Sequence, residues 1–376
     1  MADISAKKTS RSASLELLRF IAAVGIMIFH FGTQGIGVPD MAPYAFCFVE
    51  FFFILTGFFM LMYLETHENA DDPFVYIKKR VNSFYSTFII VLCYQLIIFL
   101  YTNSIKGIRA FFQTVFHFKW EFLLMHCSGV LYNPQYNKDY LLGHDWYLSA
   151  LFLVLLIIYP IARYYRNFYK NILVPAATIL LYPIIIQKFG TIQARPDYLG
   201  LTSAPVVRGM AGICTGSFTY VLYDKIKGMK FSPVSQKLLS VLDIALWLAM
   251  FYLLSPSRFF SNDRDILIYI VLFMIIVPLA VSDRTAVSGF LNHHFEKLFC
   301  YLGKMSMYLY ITHWSVMITV KMLCAGMSHA VMAAIFFSAT FAISIILMLM
   351  DHIRKTVLPV VIICTVLLGI AFYFCI

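Results

Sequence analysis

The sequence predicts an all-α polytopic membrane protein with about ten or eleven transmembrane helices, and its composition and apolar runs carry that prediction. Hydrophobic residues make up 61% of the 376 residues and charged residues only 13%, and the mean hydropathy is +0.79. Apolar runs long enough to cross about 30 Å of hydrocarbon recur along the whole chain. A soluble domain of this length is therefore not expected.

The order of the elements follows from these apolar runs. Residues 1–14 form a polar cytoplasmic tail, residues 15–356 form one membrane domain, and residues 357–376 form an additional C-terminal transmembrane helix. Ser14 and Glu16 suit the start of the first helix, because hydroxyl and carboxylate groups stabilise helix N-termini. The predicted spans lie at about 15–33, 43–64, 84–103, 147–165, 171–188, 207–224, 238–255, 265–282, 306–325, 330–350 and 357–376.

The distribution of basic residues predicts the orientation in the membrane. With the N-terminus in the cytoplasm, eighteen Lys and Arg residues fall in inner segments and eight in outer ones, as the positive-inside rule requires. The basic head before the first span resembles a signal peptide, but the apolar run is too long and no small-residue cleavage site follows it. We expect an uncleaved multi-pass protein of the cytoplasmic (inner) cell membrane, with the lipid bilayer around it.

Charge, cysteines and histidine pairs indicate no further ligand class. The net charge of +10 comes from basic residues scattered at span ends, so no nucleic-acid partner is expected. The eight cysteines include no CxxC pair, and most are expected to pack as small hydrophobic residues. His293–His294, and His117 with His126, have no carboxylate or cysteine at ligand spacing. No metal and no permanently bound cofactor is therefore expected.

The first span contains two groups that are costly in hydrocarbon, Arg19 and His30. Their separation of eleven residues is three helical turns and a remainder of about 20°, so both side chains leave one face. Along the helix axis they lie about 16 Å apart. Each alone is compatible with a snorkelling arginine or a histidine that only joins two helices. The pair on one face favours a functional site that opens on a protein interior or a wet cavity.

The second span adds Glu50, about two turns inside the membrane. The hairpin before it is short, so Glu50 is predicted at a depth similar to that of His30. A carboxylate beside an imidazole fixes its tautomer and raises its basicity. Our hypothesis is therefore that Glu50 orients His30 as a general base. The alternative is a neutral Glu50 that hydrogen-bonds to backbone or to a tyrosine.

Three consecutive cations, Lys78, Lys79 and Arg80, follow the second span. Such a run often only sets topology. It could also bind the phosphates of a nucleotide-like donor, together with Arg19 at the same level.

Two later polar residues within apolar segments have a functional and a packing interpretation. His313 is either a second polar wall of the cavity or a hydrogen bond between helices. Arg208 begins a segment in which Gly212 and Gly216 make a GxxxG pattern, which mostly indicates close helix packing.

A polar cluster precedes the fourth span at the predicted outer mouth. It consists of His144, Asp145 and Trp146. A sugar could stack on Trp146, although interfacial tryptophans are common in membrane proteins.

Several of these motifs together resemble the integral-membrane acyltransferase-3 family. They are the Arg19-x10-His30 spacing and the basic run with Arg80, with VEFFFILTGF at 49–58, HDWYLSAL at 144–151 and LGKMSMYLYITHW at 302–314. The motifs follow the family's order and spacing from about residue 15 to 325. The resemblance implies an enzyme that moves an acyl group from cytoplasmic acyl-CoA to a hydroxyl of an extracytoplasmic or lipid-linked glycan.

Carried over residue by residue, His30 and Arg19 match the family's essential histidine and arginine, and Arg80 matches the first arginine of its R-x-x-R motif. The second arginine falls on Ser83 here, and 150–151 are Ala and Leu where many members have a glutamate. The sequence departs from the family at both places. The first departure makes a donor-binding role for the basic run less secure.

The expected activity is an acetyl-CoA-dependent O-acetyltransferase, in which acetyl follows the family's habit and acetyl-CoA is the co-substrate. His30 would act either as a general base or as a transient acyl carrier. Two other classes stay open, a glycan or lipid-linked sugar transporter or flippase, and a glycan polymerase. The first usually shows internal repeats, which are not found. The second more often places its essential charges in a large outer loop.

Overall fold

The structure, a computed structural model, describes residues 12–36, 41–128, 140–193, 199, 202–255, 267–350 and 357–375. Residues 1–11 of the predicted tail lie outside the described residues. The chain is 81% helical and has no strands in the part described, so it is an all-α polytopic membrane protein. Its helices are α1 (Ala13–Thr33), α2 (Phe48–Thr66, after a 3-10 turn at Ala45–Cys47), α3 (Pro73–Asn82), α4 (Tyr85–Thr102), α5 (Ile108–His117), α6 (Lys119–Phe122), α7 (Trp146–Tyr164), α8 (Arg166–Phe168, continued by a π turn at Tyr169–Leu173), α9 (Val174–Phe189), α10 (Ala204–Ile226), α11 (Pro233–Tyr252), α12 (Leu267–Ser282), α13 (Ala286–Leu323), α14 (His329–Leu349) and α15 (Val357–Cys375).

Side-chain caps mark where several of these helices begin. Ser12 accepts a hydrogen bond from the amide of Leu15 at the start of α1. Asp72 caps α3, and Pro73 stands at its first position, where no amide donor is needed. Thr285 and Ser288 form a reciprocal capping box at the start of α13.

Fewer helices pass a length and hydropathy test than the sequence predicts. Within the described residues seven helices are long and apolar enough to span a membrane, or up to eight if the bent pair α12–α13 is one span. The expected span 207–224 corresponds to α10, which is not among them because Arg208 and a run of small residues lower its hydropathy. The expected span 306–325 is part of the 38-residue α13. α13 meets α12 at an angle of 56°.

The most extensive helix contact joins α1 to α13. The two helices run in the same direction, because contacting residues keep a nearly constant separation along the chain. The amide of Ala13 donates to Asn292, and seventeen residues further along α1 His30 contacts His313. α13 therefore packs against α1 over most of the length of α1.

The second extensive contact joins α2 to α10, also in parallel. A Cβ added to Gly57 would meet the backbone carbonyl of Ile213, and one added to Gly216 would meet the carbonyl of Ile54. The hydroxyl of Ser217 donates to the carbonyl of Gly57 over 3.1 Å. The GxxxG pattern thus makes a close helix crossing, as predicted. Because α10 packs along α2, many of its residues contact protein. This explains why the mean hydropathy of α10 is low for a helix within the membrane domain.

Candidate active site

Two buried histidines from the parallel helices α1 and α13 form the centre of the site. Nδ1 of His30 lies 2.9 Å from Nε2 of His313. The two ring planes are nearly parallel, with an angle of 5° between them and centroids 5.1 Å apart, so the rings meet edge to edge along this contact. His313 is fully buried and His30 is 6% exposed. Two imidazoles are thus in direct contact where surrounding residues leave little water.

The hydrogen bonds of this pair assign the tautomers. Nδ1 of His313 lies 3.1 Å from the carbonyl oxygen of Leu309, which can only accept a hydrogen bond. Nδ1 of His313 therefore carries its proton, and in the neutral ring Nε2 is the acceptor. Nδ1 of His30 must then donate to it. This places the lone pair of neutral His30 on Nε2, the nitrogen that a general base uses.

Two more rings complete the cluster. The ring of His144 lies 4.6 Å from that of His313 and 6.4 Å from that of His30, centroid to centroid. Trp314 stands edge-on to His30 at 5.3 Å. A Cβ at Gly143 would collide with the indole of Trp314. The absence of a side chain at Gly143 lets the turn before α7 approach the histidine pair.

A small pocket opens on His30. Its free volume is about 20 Å³, which is room for about one water molecule. Four residues singled out from the sequence contribute to its wall: His30, His144, Trp146 and Arg208. The structure thus brings together polar residues from three different helices and one loop. The other lining residues are Ile26, Phe29, Phe46, Val49, Gln193 and Tyr310.

The carboxylate of Glu50 binds a different partner from the one predicted. Both of its carboxylate oxygens accept from Arg208, one from Nε and the other from a terminal nitrogen at 2.7 Å. Both side chains are almost completely buried, and the guanidinium also lies 4.8 Å from the centre of the Trp146 ring. The predicted orientation of His30 by Glu50 is corrected: the partner on Nδ1 is His313. The cause is the packing of α2 on α10, which aligns Glu50 with Arg208.

Arg19 lies three turns from His30 along α1, at the opposite end of the site. It is bound by Glu16, with 2.7 Å between the guanidinium and the carboxylate, and its side chain is 30% exposed. Arg19 and Arg80 each exert an electrostatic effect on the Tyr147 hydroxyl. The two arginines that the sequence proposed as donor-binding residues therefore lie in the same region of the protein.

Tyr147 connects the two ends of the site. Its ring contacts that of Tyr310 at 5.5 Å, centroid to centroid, and Tyr310 donates from its hydroxyl to the carbonyl of His144 over 2.5 Å. The ring of Tyr310 is also 5.8 Å from that of His313. A continuous aromatic wall thus leads from the arginines to the histidines.

The two lysines beside Arg80 point elsewhere, so the three cations do not form one cluster. Lys79 donates to both oxygens of Asp71 at 2.8 Å. Lys78 lines a separate apolar groove between α3 and α7. Successive helical residues are about 100° apart, which explains the divergence. The prediction that all three cations form one cationic funnel is corrected for Lys78 and Lys79.

Asp145 lies behind the pocket wall instead of at its mouth. One of its oxygens is 3.2 Å from Nε2 of His126, and Glu121 accepts from the amides of Leu141 and Leu142 nearby. Burial raises the pKa of both carboxyl groups well above their ordinary values. The cluster supports the turn that presents His144 and Trp146.

Sequence reasoning missed Tyr310 and Gln193 as pocket residues. Tyr310 lies one turn before His313 on α13, so helical spacing could have identified it. Gln193 lies in the segment after α9, where no periodicity gives a signal. Among the described residues, no group of three or more His, Cys, Asp or Glu residues could hold a metal ion.

The fold and the site together define a multi-pass membrane protein with a buried histidine pair at its centre. Its sequence matches the family model of the acyltransferase domain, Acyl_transf_3, over residues 12–350. The match covers most of the chain, and the protein therefore belongs to the acyltransferase-3 family. A comparison with curated proteins and a comparison with solved structures each gave no match. The family match supports a membrane acyltransferase; the transporter and polymerase alternatives have no comparable support.

Proposed function

We propose that this protein transfers an acyl group, taken here as acetyl, from acyl-CoA to a hydroxyl group of an extracytoplasmic or lipid-linked glycan. The observation that carries the proposal is the hydrogen bond between His30 and His313, beside a pocket and three turns from Arg19 on one helix. In this proposal the Arg19 end faces the cytoplasm and the His30 end faces the opposite side of the cell membrane.

The Arg19 end suits the donor. The phosphates of CoA are anionic, and guanidinium groups bind phosphate with two parallel hydrogen bonds. Arg19 and Arg80 near Tyr147 provide two such groups. Arg19 and His30 are about 16 Å apart along α1, a span on the scale of the pantetheine arm. The arm is therefore long enough to span the distance between the arginines and the histidine pair.

The His30 end suits the chemical step. The acceptor hydroxyl oxygen attacks the thioester carbonyl, and Nε2 of His30 takes the hydroxyl proton as the C–O bond forms. The C–S bond then breaks, and the CoA thiolate leaves and takes up that proton. His313 holds the proton on Nδ1 of His30 and thereby keeps Nε2 in its acceptor form. His313 is thus the positioning residue that Glu50 was predicted to be.

A variant of this chemistry has an acyl-histidine intermediate. Nε2 of His30 would attack the thioester carbonyl, the C–S bond would break and CoA would leave as the thiolate. The acceptor hydroxyl oxygen would then take the acyl group from Nε2, and its proton would pass to the thiolate. The same nitrogen is used in both routes.

The pocket around His30 admits only a small part of either substrate. Its free volume of about 20 Å³ corresponds to about one water molecule, so the rest of a glycan stays outside. The charge of Arg208 is balanced by Glu50, and the ring of Trp146 forms part of the wall. This lining suits an uncharged hydroxyl better than an acidic group.

The test is to incubate membranes that contain the protein with labelled acetyl-CoA and to follow label into surface glycan. We expect incorporation with the unchanged chain and none above background with His30→Ala. His294→Ala, an exposed histidine on the inner part of α13, is the matched control and should incorporate normally. Full incorporation by His30→Ala would contradict the proposal, and label trapped on His30 would decide for the acyl-histidine route.

A further inference from the structure

Glu16 is buried in the first turn of α1, only 5% exposed, and the proposed reaction does not use it. Its carboxylate lies 2.7 Å from a terminal nitrogen of Arg19, one turn further along the same helix face. We propose that Glu16 is a positioning residue for Arg19, and that Gly303 is a glycine because Glu16 lies directly against it. This inference rests on the proposed donor-binding role of Arg19.

The fit between Glu16 and Gly303 is steric. A Cβ added to Gly303 would meet the Cβ, the carboxyl carbon and a carboxylate oxygen of Glu16. Gly303 belongs to the LGKMS part of the motif at 302–314. Its backbone is helical and needs no positive φ, so space is the reason for glycine here.

The start of α1 is fixed on α13 by further contacts. The amide of Ala13 donates to Asn292 over 2.6 Å. Glu16 contacts Gly303, and His30 contacts His313. α13 thus holds α1 at three successive levels, and Glu16 transmits this alignment to the guanidinium of Arg19.

The geometry leaves part of the Arg19 guanidinium for a ligand. Glu16 occupies one terminal nitrogen, and a guanidinium has five N–H donors in a planar fork. The side chain of Arg19 is 30% exposed, whereas that of Glu16 is 7% exposed. The carboxylate therefore lies on the protein side of the pair, and the guanidinium lies on its more exposed side. A fixed fork binds phosphate better than a mobile one, because less side-chain entropy is lost on binding.

The experiment measures acetyl-CoA binding to the full chain in lipid nanodiscs, so that no acceptor needs to be known. We expect Arg19→Ala to weaken binding by about tenfold or more and Glu16→Gln by about fivefold, the latter in the range of one ordinary hydrogen bond. The double variant Glu16→Gln with Arg19→Ala should bind no more weakly than Arg19→Ala alone, because Glu16 acts through Arg19. A merely structural role would give additive losses.

A second pair of variants approaches the same contact from α13. Gly303→Ala should weaken acetyl-CoA binding about as much as Glu16→Gln, because the new methyl group displaces the carboxylate. Gly289→Ala on the same helix, where a Cβ would meet nothing within 4 Å, should bind like the unchanged protein. This pair tests the idea even if Glu16→Gln fails to fold.

The outcomes separate this inference from the proposed function. Normal binding by Glu16→Gln and Gly303→Ala, or a further loss in the double variant, would overturn the positioning role alone. Normal binding by Arg19→Ala would overturn that role together with the donor site on which it rests.

Discussion

The two ends of α1 differ in how much water they admit, and this difference separates chemistry from recognition. At one end His30 meets His313 edge to edge in a buried cluster of rings. At the other end Arg19 is 30% exposed and lies near Tyr147 with Arg80. A neutral base can be buried at modest cost, whereas phosphate recognition needs charged groups that stay partly solvated. In the proposed function one helix carries both tasks, because its two ends lie in different media.

Two ion pairs of the site region show the same contrast. Arg208 and Glu50 are buried at the His30 end, whereas Lys79 and Asp71 near the Arg19 end are 66% and 22% exposed. Breaking a buried pair leaves a charge without its partner, but water replaces a partner at an exposed site. Removing one partner should therefore lower the stability of the protein more at the buried pair than at the exposed pair.

The largest effect on stability is expected at Arg208. Arg208→Met should lower the free energy of unfolding by about 3–5 kcal/mol, because Glu50 is then buried without its cation. The measurement is thermal stability in detergent. The double variant Arg208→Met with Glu50→Leu should recover most of the loss. Equal stability of single and double variants would show that the pair has no such energetic role.

The largest effect on turnover after loss of His30 itself is expected at His313. His313→Phe should lower kcat by about a hundredfold with little change in KM for acetyl-CoA, because Nδ1 of His30 loses its acceptor while an aromatic ring still fills the space beside it. His293→Phe, an exposed histidine on the same helix, is the control. A normal kcat for His313→Phe would contradict the assigned hydrogen-bond chain.

A smaller effect is expected where α2 crosses α10. Gly57→Ala should lower stability by about 1–3 kcal/mol, because the added methyl group meets the backbone of Ile213. Gly369→Ala on α15 meets nothing within 4 Å and should leave stability unchanged. Thermal stability of both variants in detergent checks the crossing; no difference between them would mean that α2 and α10 do not pack this closely.

The smallest effect is expected at Asp71. The hydrogen bond from Lys79 holds the pKa of Asp71 below its ordinary value of 3.8. The ionised form is thus favoured in the folded state, so its stabilisation is present above the ordinary pKa and is lost as the pH falls through the lowered one. Lys79→Ala should reduce thermal stability slightly at pH 7, and the deficit should disappear at acid pH. Lys78→Ala is the control, and a deficit that grew with acidity would reverse the assigned sign.

Much of the site was predictable from helical spacing. The Arg19–His30 separation and the GxxxG pattern are each spacings within a single helix, so both can be read directly from the sequence. The partner of Glu50 was not predictable, because the short hairpin indicated only a depth similar to that of His30, and the α2–α10 crossing brings Arg208 to Glu50. The spatial meeting of His30 with His313 likewise depends on α13 packing on α1, which no local pattern encodes.

The positions of Lys78 and Lys79 show that neighbours in sequence need not be neighbours in space. A run of three cations in sequence predicts a basic cluster, but a helix directs consecutive side chains to different sides. The length of α13 was underestimated because its polar first part is not apolar enough for a span. The capping box at Thr285 and Ser288 was the signal that could have placed its start.

The most direct test of the division between the two ends is to measure acetyl-CoA binding and acetyl transfer side by side in reconstituted vesicles. His30→Ala should bind acetyl-CoA normally and transfer no acetyl group. Arg19→Ala should bind acetyl-CoA at least about tenfold more weakly, and should recover part of its transfer at high donor concentration. If His30→Ala lost donor binding while Arg19→Ala bound normally, the account of the two ends would be contradicted.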